Sequence, residues 1–302
     1  MLTSQDQLAR LQLLAKGVVE GITAGRHRSP HKGASVEFKE HRQYVRGDEI
    51  RSIDWKLFGK TDRLFIRQYE DETNLRAMIL LDQSGSMAYR GQRSALSKHQ
   101  FGMQLAACLA TLLIKQQDSV GFATFDETLR ELIPPRGTTG HLRAIMGALV
   151  RSECAAETAL DQALQQVSAR LPRRGLLLLI SDCFDDVDSL LAPLRLIRHN
   201  NSEVVVFQVW DRDELDFPFR SRTQFKSLEN AASQRLIDPR TVRAGYLERL
   251  ANYQQQLSQA MARERIDLVV CTSDQDLGEL LTAYLLRRER KAVDRSQGRG
   301  RL

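Results

Sequence analysis

The chain has 302 residues, 42% of them hydrophobic and 27% charged, which is the balance of a soluble globular protein with room for one large domain, or a large and a small one. No apolar run approaches the ~20 residues of a membrane helix, and the start, Met1-Leu-Thr-Ser-Gln-Asp6, lacks the basic and apolar blocks of a signal peptide, so a cytoplasmic protein with no membrane span is expected. The net charge of +6 is gathered at one end: residues 287–302 hold seven Arg and Lys against Glu289 and Asp294, leaving the rest of the chain at +1. A body this neutral is not built to bind nucleic acid by charge, although the tail alone could touch phosphates or an acidic partner.

Residues 3–25 read as a helix, with Leu8, Leu11, Val18 and Ile22 at helical spacing. Residues 33–75 mix dense charge with Phe38, Tyr44, Ile53, Trp55, Phe58 and Phe65. A solvated loop would not carry so many large apolar groups, so a small β-rich subdomain is expected, with a turn at Gly47-Asp48 and a strand near 63–70. The Arg46-Gly-Asp48 tripeptide is a coincidence in a chain of this kind.

Ala77 to Leu81 is continuously apolar, the mark of a strand covered on both faces. Helices follow over residues 93–115, 139–150, 158–170, 186–199, 241–264 and 275–290. Strands fall over 119–125, 129–133, 175–180, 203–210 and 266–271, with Pro134-Pro135 closing the second of these and short strands near 223–228. Alternating strands and helices imply an α/β fold with a doubly wound, mostly parallel sheet. The expected domains are residues 1–75, 76–290 and a basic tail over 291–302.

Chemistry concentrates where the first buried strand stops, at Asp82-Gln-Ser84-Gly-Ser86. Function in open α/β sheets collects past the carboxyl ends of strands. One hard carboxylate and two hydroxyls at alternate positions suit Mg²⁺, or another divalent cation such as Mn²⁺ or Ca²⁺. The competing reading is that Asp82 and Ser84 cap the next helix. Asp182 ends its own strand as Asp82 does, and Thr158 opens a helix facing a loop.

Cys108, Cys154, Cys183 and Cys271 have no paired spacing, and the six histidines are scattered, so neither a zinc template nor a disulfide framework is present. No phosphate loop and no nucleophile with an adjacent base is evident. Two alternatives remain. Asp82 after a strand could be the nucleophile of a Mg²⁺-dependent phosphatase of haloacid-dehalogenase type, but Ser84 stands where the second acid belongs. The basic tail could bind nucleic acid.

The Asp82-x-Ser84-x-Ser86 turn resembles the metal-ion-dependent adhesion site of von Willebrand factor A domains. In that family a threonine from a second loop and an aspartate from a third complete the site. The resemblance therefore implies Asp82, Ser84, Ser86, Thr158 and Asp182 as the metal set, with Thr158 preferred to Thr138 or Thr139. An ion held by so few acids keeps an open position that a carboxylate from a partner protein can fill.

The wider chain, to about residue 285, resembles a bacterial family of unknown function that joins a charged amino-terminal segment to a von Willebrand A-like domain. The resemblance rests on Glu37-Phe38, Arg42-Gln-Tyr44-Val-Arg46-Gly47-Asp48, Arg51-Ser-Ile-Asp54-Trp55 and Leu64-Phe-Ile-Arg67-Gln-Tyr69-Glu70. Members are commonly encoded beside MoxR-type AAA+ ATPases. This implies a non-enzymatic adaptor or partner role in a chaperone-like system of protein maturation or assembly, with the ATPase or a client protein as partner.

Overall fold

The computed structural model describes residues 3–26, 41–45, 53–67, 75–154, 160–168, 174–220, 223–226 and 234–299. In chain order its elements begin with α1 (Ser4–Arg26), β1 (His41–Gln43), α2 (Trp55–Thr61), β2 (Phe65–Arg67) and β3 (Arg76–Asp82). A 3₁₀ turn (Gly85–Ala88) leads to α3 (Lys98–Lys115), β4 (Ser119–Phe125), β5 (Leu129–Arg136), α4 (Thr139–Arg151), α5 (Leu160–Ser168) and β6 (Leu176–Ser181). The remainder is α6 (Val187–His199), β7 (Glu203–Trp210), α7 (Arg212–Asp216), β8 (Thr223–Lys226), β9 (Gln234–Ile237), α8 (Pro239–Arg263), β10 (Asp267–Thr272) and α9 (Leu277–Arg299).

Two compact units result, Arg26–Asn74 and the rest of the chain. In the smaller one, β1 and β2 pair antiparallel, His41 opposite Arg67 and Gln43 opposite Phe65. Asp54 caps α2 by accepting a hydrogen bond from the Leu57 N–H at 3.1 Å. The Gly47-Asp48 turn, Glu37-Phe38 and Tyr69-Glu70 lie outside the described residues.

The larger unit is the doubly wound α/β layer expected. Its sheet runs β10-β7-β6-β3-β4-β5. All neighbours are parallel except β5, which pairs antiparallel on the β4 edge. Strand β3 is central, and its side chains alternate between two cores. Ala77, Ile79 and Leu81 pack with Leu105 and Leu109 of α3, Leu149 of α4 and Leu281 of α9. Met78 and Leu80 pack with Leu164 of α5, Leu190 and Leu194 of α6, and Leu257 and Met261 of α8. Burial on both faces is why the strand is apolar from Ala77 to Leu81; Met78, Ile79, Leu80 and Leu81 each contribute roughly 1.5–3 kcal/mol.

Several boundaries differ from expectation, each for a physical reason. Helix α1 belongs with the sheet rather than with the charged segment, because Leu11, Ala15, Val19 and Ile22 sit in the first core. Helix α3 starts at Lys98, not residue 93: Ser97 and Gln100 form a reciprocal capping box that sets the first turn. Strand β5 runs through Pro134 and Pro135 to Arg136, which an edge strand tolerates because one side of its backbone has no ladder to feed. Helix α9 continues to Arg299, so much of the basic tail is helical. Residues 211–240, read as irregular with strands near 223–228, hold a short helix and an antiparallel hairpin. No helix among the described residues is long and apolar enough to cross a membrane.

Candidate metal centre

Parallel strands place their carboxyl ends on one edge, and three of them finish in the same residue type. Asp82 ends β3, while Asp182 and Asp211 follow β6 and β7. Register then decides which groups meet. Leu81 pairs with Ile180, so the next residues, Asp82 and Ser181, are level. The Ser181 hydroxyl donates to Asp82 Oδ2 at 2.6 Å, and the Ser84 backbone N–H donates to Asp82 Oδ1 at 2.8 Å. The carboxylate is thus held from both sides, with 1% of Asp82 exposed.

Beyond it the chain turns through the 3₁₀ segment, which sets the hydroxyls of Ser84 and Ser86 3.0 Å apart. Adjacent ligands of an octahedral ion with bonds of about 2.1 Å lie about 3.0 Å from each other, so the two hydroxyls fit as neighbours on one hard cation. Neither caps a helix: Ser84, at the head of the 3₁₀ turn, makes no side-chain capping bond. Burial, and secondly the negative charge of Asp182, push the Asp82 carboxyl up to about 7. A cation would relieve that cost. Among the described residues no three His, Cys, Asp or Glu side chains converge as metal ligands, so an ion here would depend on one carboxylate, hydroxyls and water. That is a Mg²⁺-like donor set.

The third loop arrives as expected but with a companion. Asp182 Oδ1 accepts from the Phe184 N–H at 3.1 Å, and Oδ2 accepts from Lys98 Nζ at 2.8 Å. Lys98 also donates to Glu214 Oε1 at 2.7 Å. Burial opposes the Lys98 ammonium, yet the charges of Asp182 and Glu214 outweigh it and hold its pKa above the ordinary lysine value. Asp182 therefore shares the edge with Asp82 while both its oxygens are engaged by the protein.

The same loop is tightly stapled. Cys183 adopts a left-handed backbone with φ 56°, a conformation a non-glycine residue holds only when its surroundings enforce it. Its N–H donates to Ser181 Oγ at 2.9 Å, and its carbonyl accepts from Asp185 N–H at 2.8 Å and from the Tyr253 hydroxyl. Burial raises the Cys183 thiol well above its usual value, the behaviour of a packed rather than reactive cysteine.

Of the five residues singled out from sequence, four meet at this edge; Thr158 lies outside the described residues. Thr138 caps α4, accepting from the His141 N–H at 3.2 Å. Ser181, Lys98 and Glu214 were missed. Lys98 carries no local signal, because its partners are 84 and 116 positions away in the chain.

Residues 40–256 match the family described as protein of unknown function DUF58. The uncharacterized protein Rv1480 of Mycobacterium tuberculosis is 24% identical over 214 residues, 70% of this chain and 66% of that protein. An uncharacterized protein of Mycobacterium bovis, Mb1516, matches with the same figures. The chain thus spans just under two thirds of the length of the curated relatives it matches. Among solved structures, BatB from Bacteroides thetaiotaomicron is similar at 12% identity and a TM-score of 0.45, over 72% of this chain and 99% of that one. The SpRpn10 VWA domain is similar at 12% identity and a TM-score of 0.43, over 69% and 94%. With the family match covering well over half its length, the chain is a member of the DUF58 family.

Proposed function

We propose that this chain is a non-enzymatic protein-binding module whose partner contact depends on a divalent cation, Mg²⁺ by its donor set. Asp82, Ser84 and Ser86 would hold the ion, with Asp182 acting from the neighbouring loop and Thr158 from the second. A carboxylate of the partner completes the coordination. The observation that supports this reading is the pair of Ser84 and Ser86 hydroxyls 3.0 Å apart beside a buried carboxylate whose ionisation burial and Asp182 oppose. The ion's chemistry there is bridging: a hard charge with few anionic ligands attracts one more from outside. Ser84 in the second-acid position argues against phosphatase chemistry.

The partner is a MoxR-type AAA+ ATPase or a client protein handled with it in maturation or assembly. Support for this comes from the charged amino-terminal run and its resemblance to members encoded beside such ATPases. The test is calorimetric titration of Mg²⁺ into the chain and into Asp82→Ala, with circular dichroism to verify the fold. Binding by the first and none by the second is expected; equal binding sinks the assignment. Retention of the purified ATPase on immobilised chain, with and without chelator, tests the partner.

A further inference from the structure

Next to the hydroxyl loop lies a cavity of about 600 Å³, within the ~300–1,000 Å³ usual for ligand pockets. Its wall is aromatic and drawn from several elements. Tyr89 follows the 3₁₀ turn, Phe184 follows Asp182, Phe217 and Phe219 follow α7, and Tyr246 and Tyr253 come from α8. The hydroxyls of Tyr246 and Tyr253 are turned to the backbone carbonyls of Glu214 and Cys183, so these two tyrosines spend their polar ends on the protein. Phe184 is 51% exposed even though it stacks on Tyr253 and meets Trp210 edge-on. A largely aromatic cavity of this size with an open ring at its edge has the make-up of a ligand site.

The charges at the wall are unequal. Asp213 is paired with Arg93, and Glu214 with Lys98. Arg249, exposed and also lining the cavity, has no acidic partner among the described residues; its Nε donates to the Gly245 carbonyl at 3.1 Å. The cavity therefore offers an apolar seat with one uncommitted cation.

We infer that this cavity seats a large apolar side chain of a partner protein's peptide segment, while a neighbouring carboxylate of that segment meets Arg249. Phe184 and Tyr89 border both the cavity and the Lys98–Asp182 pair, which they flank at 5.7 Å and 6.0 Å from Lys98 Nζ to ring centre. The cavity and the hydroxyl loop thus belong to one surface. That the occupant comes from a protein rests on the binding role proposed above; the pocket and its charge preference do not.

The test uses the full chain in chelator throughout. The fluorescent anion anilinonaphthalene sulfonate is bound first, then displaced by acetyl-tryptophanyl-aspartyl amide or by the matching asparaginyl peptide. The acidic peptide should displace the dye at about a tenfold lower concentration, the size of one charge-assisted contact. Arg249→Gln, at an exposed position, should erase that ratio and weaken the anionic dye by a similar factor without abolishing its binding. Val242→Trp, which puts an indole into the wall of the cavity, should weaken the binding of dye and peptides alike. Equal potency of the two peptides, or dye binding unchanged in Val242→Trp, overturns the assignment. Free indole acetate competing as well as the acidic peptide makes this a small-molecule site and overturns the protein partner. Because no metal is present, failure here leaves the Mg²⁺ titration of Asp82→Ala untouched, and the reverse holds too.

Discussion

Lys98 Nζ lies 2.8 Å from Asp182 Oδ2, with the lysine side chain 0% and the aspartate 3% exposed. The same ammonium reaches Glu214 at 2.7 Å. One cation at the start of α3 therefore ties the loop after β6 to the short helix α7 that follows β7. It also occupies the third loop's carboxylate: Asp182 reaches the candidate metal edge with both oxygens engaged, so Asp82, whose ionisation burial and Asp182 oppose, is the carboxylate that a cation there would relieve.

Lys98→Met leaves two acids beside the core without their counter-charge. Breaking a buried pair from one side costs about 3–5 kcal/mol, and urea unfolding of the variant should show a loss of that order. The double variant Lys98→Met/Asp182→Asn should recover part of it. A change within about 0.5 kcal/mol, the range of ordinary surface substitutions, would mean that the pair does not hold these loops together.

Asp82 carries a folded-state pKa of about 7, above its ordinary value of 3.8. Its contribution is fully present below the lower value and lost as pH rises through the upper one. Metal-free protein at pH 8 thus bears an ionised carboxylate that burial and Asp182 disfavour. Asp82→Asn should stabilise metal-free protein at that pH by roughly 2–4 kcal/mol, while saturating Mg²⁺ should stabilise the parent and leave the variant unmoved. Thermal unfolding with chelator and with Mg²⁺ checks both halves; parent and variant responding alike to Mg²⁺ would remove the metal from this site.

His99 titrates the other way. Burial lowers it from 6.5 to about 4, and its ring sits 3.2 Å from the Ser152 hydroxyl. A depressed histidine contributes stability that is present above pH 6.5 and lost as pH falls towards 4. The difference between the parent and His99→Gln should narrow across that window by up to about 3 kcal/mol, read from unfolding curves at a series of pH values. A constant difference would refute the buried neutral imidazole.

Gly91 is a steric prediction. Its N–H donates to Asp211 Oδ2 at 2.9 Å, and a Cβ there would run into the carboxylates of Asp211 and Asp213. Gly91→Ala should cost about 1–3 kcal/mol, the usual range for overpacking. It should also loosen Arg93 from Asp213, which hydrogen exchange over residues 89–97 would report. Unchanged exchange would mean that the loop is held elsewhere.

Much of this architecture could be read from local pattern. The unbroken run Ala77–Leu81 announced a strand buried on both faces, and strand–helix alternation announced the parallel sheet, because both depend on periodicities a few residues long. The Asp82-x-Ser84-x-Ser86 turn was legible for the same reason: its three groups are close in sequence, so the loop itself brings them together. The start of α3 is not legible from composition, because Leu96 suits a helix, whereas the Ser97–Gln100 capping box begins it after that residue. Strand β5 reads as ending at residue 133, because its prolines look like a stop until the strand is known to lie at an edge.

What the sequence determined alone was therefore the class of fold and a short oxygen-rich turn at the end of its central strand. Sheet register and helix docking decided the rest. They set Ser181 on Asp82, brought Lys98 between Asp182 and Glu214, and closed six aromatic rings around a cavity beside them. These partners are separated by tens of residues, and no local preference encodes such pairings; they exist only once apolar burial has fixed the packing of the layers.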